Sequence, residues 1–191
     1  MRGGTDRPAD VVDHAGVRLT RWRTSDAASL HQVVAESRDH LRPWLRWADE
    51  FSISIAVELT RRWEEGWRSG AEYHYAISRY GTPVGSCGLV SRIGPGGLEI
   101  IYWLHPRYIG HGLATMAVAA LVEQAFNLPP INRLEIVHDI ANRASGAIPH
   151  RLGFVLIDSR RPPPEMRAAG EAGIDLVWRL TRLAVDGRCL P

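Results

Sequence analysis

Apolar positions along this chain switch between a two-residue and a 3.6-residue period, and the switches divide it into short elements. Residues 17–22 alternate apolar and basic side chains, as a half-buried strand does. Thr24 or Ser25 caps a helix to about residue 37, although Ala27 leaves the capping box incomplete. Residues 42–47 read as a short helical piece dense in tryptophan. Residues 55–68 place Leu59, Trp63 and Trp67 four apart on one helical face. Residues 72–79 and 84–93 are strands around the turn Tyr80-Gly81-Thr82-Pro83, and Gly94-Pro95-Gly96-Gly97 turns the chain into a strand over 98–105. An apolar helix follows over 113–126 and stops at Asn127-Leu128-Pro129-Pro130. Residues 133–138 form a strand parallel to the one before it, because a helix crosses between them. A helix over 142–152, ended by Gly153, leads to strands over 154–158 and 174–181, which bracket an arginine- and proline-rich loop over 160–173. The sum is a mixed α/β sheet of about seven strands around a central βαβ crossover, with flanking helices.

At 191 residues the chain reads as a single domain over 1–191, with tails at about 1–13 (flexible) and 183–191. Its 45% hydrophobic and 23% charged residues are ordinary for a globular protein. A net charge of +2 makes no case for nucleic acid, and no apolar run has the length of a signal core or membrane span, so the cytoplasm is the default. All 23 basic residues are arginine, which excludes self-acetylation on lysine. Two cysteines, Cys87 in an apolar strand and Cys189 in the tail, are too few for a disulfide scaffold. No metal-ligand spacing is present, so no metal is expected.

Chemistry enters at Arg107-Tyr108-Ile109-Gly110-His111-Gly112-Leu113-Ala114. This glycine-bearing turn joins a strand to a helix, whose first turn exposes unpaired N–H groups with partial positive charge. Gly110 and Gly112 carry no Cβ, so an anion can approach the backbone. The same glycines also suit a turn that serves packing alone. No Gly-Lys-Ser/Thr follows, so this is not a P-loop, and Thr115 stands where a dinucleotide fingerprint wants a third glycine. Downstream, Asn142-Arg143-Ala144-Ser145 precedes Ile148-Pro149-His150-Arg151-Leu152-Gly153-Phe154.

These two blocks resemble the pyrophosphate loop and the Asn-x-x-Ser…Leu-Gly-Phe block of the GNAT acyltransferases, in their RimJ/RimL-like branch of ribosomal-protein N-terminal acetyltransferases. Leu41-Arg42-Pro43-Trp44-Leu45, Gly85-Ser86-Cys87-Gly88-Leu89 and Glu99-Ile100-Ile101-Tyr102-Trp103-Leu104 are similar to further pieces of that branch, in its order, across residues 17–182. The resemblance implies the GNAT fold, with a mostly antiparallel sheet. It implies an acetyl-CoA-dependent N-acetyltransferase that moves acetyl directly to a primary amine. A protein N-terminal α-amine is the first acceptor class, since its pKa of roughly 8 makes deprotonation easier than for lysine. A small-molecule amine such as an antibiotic or polyamine, succinyl as the acyl group, and a non-catalytic coenzyme A-binding module are the alternatives. A homodimer is possible.

In a strand where Leu98, Ile100 and Tyr102 share one face, Glu99 points to the other with Ile101 and Trp103. The resemblance makes Glu99 the general base, with a pKa expected to rise among apolar neighbours; the spacing equally suits a solvated charge. Ser145 is the candidate donor to the departing thiolate, or a residue that merely caps its helix. Coenzyme A contacts are expected from Arg107, Ile109, Gly110, His111, Gly112, Leu113, Ala114, Asn142 and Ser145, and a backbone N–H near Leu104 or His105 is expected to meet the oxyanion. Trp44, Trp47, Glu99 and Trp103 are expected on the acceptor side, where Trp63 and Trp67 also fall. Pro149 denies the Ser145 carbonyl its i+4 partner. His138 is a reserve base.

Overall fold

The computed structural model describes residues 6–186. Its strands are β1 (Val11–His14), β2 (Val17–Arg21), β3 (Glu72–Arg79), β4 (Thr82–Val90), β5 (Gly97–Leu104), β6 (Arg133–Asp139), β7 (Val155–Arg160) and β8 (Asp175–Thr181). Its helices are α1 (Ala27–Leu41), α2 (Ile53–Ser69), α3 (Leu113–Phe126), α4 (Arg143–Arg151) and a final turn, α5 (Arg182–Asp186). The sheet order is β1-β2-β3-β4-β5-β6-β8-β7. Every pair is antiparallel except β5 with β6, which α3 connects.

The sheet has eight strands where about seven were expected. The extra one is β1, drawn from residues assigned to a flexible tail. Val12 faces the core and pairs with Leu19, a register that alternation in residues 17–22 already invites. At the other end, the helical turn Arg182–Asp186 runs into the tail expected from 183; Cys189 lies outside the described residues.

Helix α3 buries nearly all of its length against one face of the sheet, with Ala117 through Val122 in the main core beside Leu98 and Ile100. Helices α1 and α2 cover part of the other face, where Trp22, Leu30, Val34 and Trp63 cluster and Trp103 packs against them. Ser52 caps α2 by accepting from the Ile55 N–H at 3.3 Å, and Gly70, at φ 80°, ends it. Helix α1 runs four residues past its expected end. Residues 42–47, expected to be helical, are mostly turn, with a one-turn helix over Arg46–Ala48. Pro43 has no N–H to carry the ladder further. Cys87 is a buried free thiol, and burial pushes its pKa up.

The feature that positions the site is an opening in the sheet. β5 and β6 pair only from Gly97↔Arg133 to Glu99↔Glu135. Beyond Glu99 each follows its outer neighbour: β5 stays with β4 to Leu104, and β6 stays with β8 to Asp139. The two strands part, and Ile101, Tyr102 and Trp103 are only half-buried at the gap.

Candidate active site

The gap opens into a cavity of about 890 Å³, lined by β5 from Glu99 to Leu104, the end of β6, both glycines of the loop before α3, and the first turns of α4. Glu99 and Ser145, 46 positions apart in sequence, line this one cavity from opposite faces of the sheet.

At one end is the glycine turn. Gly110 and Gly112 adopt φ 78° and 75°, a conformation that disfavours any side chain, and Gly112 is the N-cap of α3. A Cβ on Gly110 would meet nothing within 4 Å, so the backbone there is bare to solvent. Gly110, Gly112, Leu113, Ala114 and Ile109 line the cavity, with the unpartnered N–H groups of the first helical turn between them. Arg107 and His111 are exposed and lie off the lining. His105 is buried; its Nδ1 accepts from the Arg107 N–H at 3.1 Å, and its Nε2 sits 3.5 Å from Glu36. Its expected role at the cavity is therefore replaced by one in holding the turn. Arg143 and Arg151 of α4 also line the cavity, exposed. Nothing in the motif pointed to them.

The backbone of β5 settles which amide faces the gap. The His105 N–H donates to the Val84 carbonyl at 2.8 Å, so it is taken. In an antiparallel ladder successive N–H groups alternate between edges, which turns the Leu104 N–H away from β4 and toward the open side. Of the two amides, only that of Leu104 is left without a partner on β4.

Asn142 caps α4, accepting from the Ser145 N–H at 3.1 Å. Pro149 sits inside α4 and leaves the Ser145 carbonyl without its i+4 donor. Tyr102 fills that vacancy: its hydroxyl lies 3.0 Å from both the Ser145 carbonyl oxygen and the Ser145 Oγ. Burial pushes the Tyr102 phenol up to about 12, against the lowering effect of the Ser145 contact. Tyr102 is thus bonded to the candidate donor toward the thiolate.

Glu99 is 6% exposed. The expectation of apolar neighbours is corrected, because the Arg92 guanidinium grips both carboxylate oxygens, with Nε 2.8 Å from Oε2. Glu171 and Asp175 also line this end, and burial followed by neighbouring carboxylates holds Asp175 above the usual carboxylate range. Trp44 and Leu45 also line the cavity. The 160–174 loop reaches back to that segment: the Gly170 N–H donates to the Pro43 carbonyl at 2.8 Å, and Arg46 donates to the Glu165 carbonyl. Asp139 anchors that loop by accepting from the N–H groups of Ala172, Gly173 and Ile174 at 2.7 to 3.1 Å.

The tryptophans divide. Trp44 and Trp103 line the cavity. Trp47 does not; it is 41% exposed and packs on Phe51 and on Trp103, whose ring centroid is 6.3 Å away. Trp63 and Trp67 are buried, Trp63 stacked on His74 at 4.3 Å and Trp67 under the Arg21 guanidinium. His138 is engaged on both nitrogens: its Nε2 accepts from the Trp178 indole at 3.0 Å, so Nδ1 carries the proton toward the Asp139 carbonyl, 2.8 Å away. It has no free lone pair for a base. His40, at the end of α1 and outside every motif, also lines the cavity, and burial followed by His105 lowers its pKa.

Residues 17–155 match the acetyltransferase (GNAT) domain family. The chain belongs to that family. It is thus a GNAT acyltransferase with ribosomal-protein acetyltransferase relatives by sequence and structure. Over 157 residues it is 26% identical to the putative ribosomal N-acetyltransferase YdaF of Bacillus subtilis (strain 168), covering 76% of this chain and 80% of that one. Among solved structures, RimL, a ribosomal L7/L12 alpha-N-protein acetyltransferase in complex with coenzyme A, superposes with a TM-score of 0.83 at 20% identity, covering 91% of this GNAT chain and 99% of RimL. Mycobacterium smegmatis RimJ in complex with CoA-disulfide gives 0.81 at 20% identity, with 97% and 92% covered. Coenzyme A suits the residues present: a bare glycine backbone at a helix start for a pyrophosphate, and a strand gap for an extended arm.

Proposed function

We propose that this protein acetylates a primary amine from acetyl-CoA, and that the amine is the α-amino group of a protein N-terminus. The carrying observation is that one cavity joins the glycine turn, the open edge of β5, Ser145 and Glu99. The N–H groups from Ile109 to Ala114 bind the pyrophosphate, and Asn142 lies beside the arm. Bound acetyl-CoA supplies the acetyl group as a thioester. The Leu104 N–H donates to the carbonyl oxygen as charge gathers on it. Ser145 Oγ donates to the departing sulfur. Glu99 takes the proton of the amine, directly or through water, and Arg92 must yield one carboxylate oxygen for it to do so.

The acceptor reading draws support from the chemistry around Glu99. An incoming ammonium meets Glu99, Glu171 and Asp175, and the indoles of Trp44 and Trp103 flank its path. YdaF and RimL carry ribosomal-protein names, which favours a peptide over a small molecule. No described helix is long and apolar enough to cross a membrane, in keeping with a cytoplasmic acceptor. A homodimer is supported by β7, an edge strand whose Val155, Leu156 and Ile157 are all exposed.

The deciding measurement is mass spectrometry after incubation with acetyl-CoA and a panel of N-terminal peptides, polyamines and amino compounds. A mass gain of one acetyl on a peptide α-amine is expected. Acetylation confined to small amines would move the acceptor class, and no product on any amine would favour a binding module.

A further inference from the structure

We infer that Tyr102 is a positioning residue for the acyl transfer, a hydroxyl that turns from the Ser145 carbonyl to Ser145 Oγ and so releases the Ser145 hydroxyl to the leaving sulfur. The inference rests on the reading of Ser145 as donor to the thiolate.

The argument starts from Pro149. Without an N–H at position 149 the Ser145 carbonyl has no helical donor, and a half-buried carbonyl without a protein partner carries a cost. The Tyr102 hydroxyl, reaching across from β5, is that partner at 3.0 Å. The same oxygen is also 3.0 Å from Ser145 Oγ. A phenol has one proton and accepts as well as donates. In the resting arrangement Tyr102 donates to the Ser145 carbonyl and accepts from Ser145 Oγ. That leaves the serine proton pointing at tyrosine, away from any sulfur.

Transfer needs the opposite orientation. As the carbon–sulfur bond breaks and its electron pair moves to sulfur, the Ser145 O–H must turn to the sulfur. Its oxygen then loses a partner and gains negative character. Rotation about the Tyr102 C–O bond swings the phenol proton from the Ser145 carbonyl to Ser145 Oγ, both being at equal distance. No heavy atom has to move. Tyr102 keeps its proton, its pKa pushed up to about 12 by desolvation of its phenol, so it works as a donor throughout rather than as an anion. Two donors in series, Tyr102 to Ser145 and Ser145 to sulfur, polarise each other in a half-buried site.

The test is a set of variants read by steady-state kinetics and melting temperature. Tyr102→Phe should lower kcat by about 10-fold to 100-fold, the scale of a hydrogen bond to a group gaining charge, and leave KM for acetyl-CoA nearly unchanged. In a Ser145→Ala background the same change should cost almost nothing further in kcat, because it acts through the serine. Pro149→Ala restores an N–H to the Ser145 carbonyl. Tyr102→Phe with Pro149→Ala should therefore regain the melting temperature lost in Tyr102→Phe, but not its kcat.

A Tyr102→Phe enzyme with wild-type kcat overturns the proposal. So does recovery of kcat in the double variant with Pro149→Ala, which would reduce Tyr102 to a partner for a carbonyl. An undiminished Tyr102→Phe effect in the Ser145→Ala background places its action elsewhere and also overturns it. If Ser145→Ala itself keeps full turnover, the underlying reading of Ser145 fails instead, whatever Tyr102 does.

Discussion

The two ends of the cavity are built in opposite ways. The donor end is made of backbone: two glycines at positive φ, a helix start, an asparagine cap and a proline inside a helix, all within residues 105–151. The acceptor end is made of side chains from segments far apart in sequence: Trp44, Arg92, Glu99, Glu171 and Asp175. A pyrophosphate is the same on every donor molecule, and backbone amides recognise it without regard to neighbouring side chains. An acceptor differs between relatives, and side chains on loops are the parts that change without disturbing the core.

The comparison breaks first at Gly112. Valine there puts a branched side chain at φ 75° and covers the helix start, so Gly112→Val should abolish binding of acetyl-CoA. Calorimetry on a variant whose circular dichroism matches wild type checks this; unchanged affinity would detach the glycine turn from the donor.

Next in size is Glu99→Gln, which keeps the shape and loses the basicity. Turnover should fall about 100-fold, with acetyl-CoA affinity unmoved. The alkaline-rising limb of the rate profile should flatten with two acceptors of different amine pKa. A variant active with both moves the base to His40, which also lines the cavity.

Trp44→Ala should be milder and one-sided. We expect KM for the acceptor to rise about tenfold while KM for acetyl-CoA stays, since Trp44 lines the cavity from the segment before α2 and not from the glycine turn. Equal changes in both constants would show that the two ends are not separable.

The smallest effect concerns stability on the acceptor face. His74 is stacked on Trp63 and buried, and burial holds its pKa below the ordinary value despite the opposing bond from Glu72. The unfolded chain titrates at about 6.5, so below that pH it binds a proton the folded protein refuses. Stability is full above about 6.5 and declines as pH falls. A His74→Phe variant keeps the stacking without the titration. Its melting temperature should lose part of the wild-type decline between pH 7.5 and 5.5, by a few degrees (about 2–4 °C per kcal/mol for a domain of this size). Parallel curves would clear His74 of the effect.

The sequence by itself determined what depends on a few neighbouring residues. Gly110 and Gly112 between a strand and an apolar helix require a bare turn. Asn142 three before Ser145 gives a cap. Pro149 four after Ser145 strands a carbonyl, and the hairpin at Gly81 follows from local turn chemistry. Each of these is set by φ or by a missing N–H, which the residue carries wherever it is placed. Alternation in β5 was equally local, and it put Glu99 and Tyr102 on opposite faces. Tertiary structure decided what each face met. Only the parting of β5 from β6 let both faces share a cavity. The tertiary packing also brought Arg92 onto Glu99 and the Tyr102 hydroxyl onto Ser145, and the docking of α2 on the sheet buried Trp63 and Trp67 while Trp44 stayed in the cavity lining. The contact of Gly170 with Pro43 closed a loop onto a segment over a hundred residues away. Such pairings depend on strand register and loop path together, and no short stretch of sequence contains either.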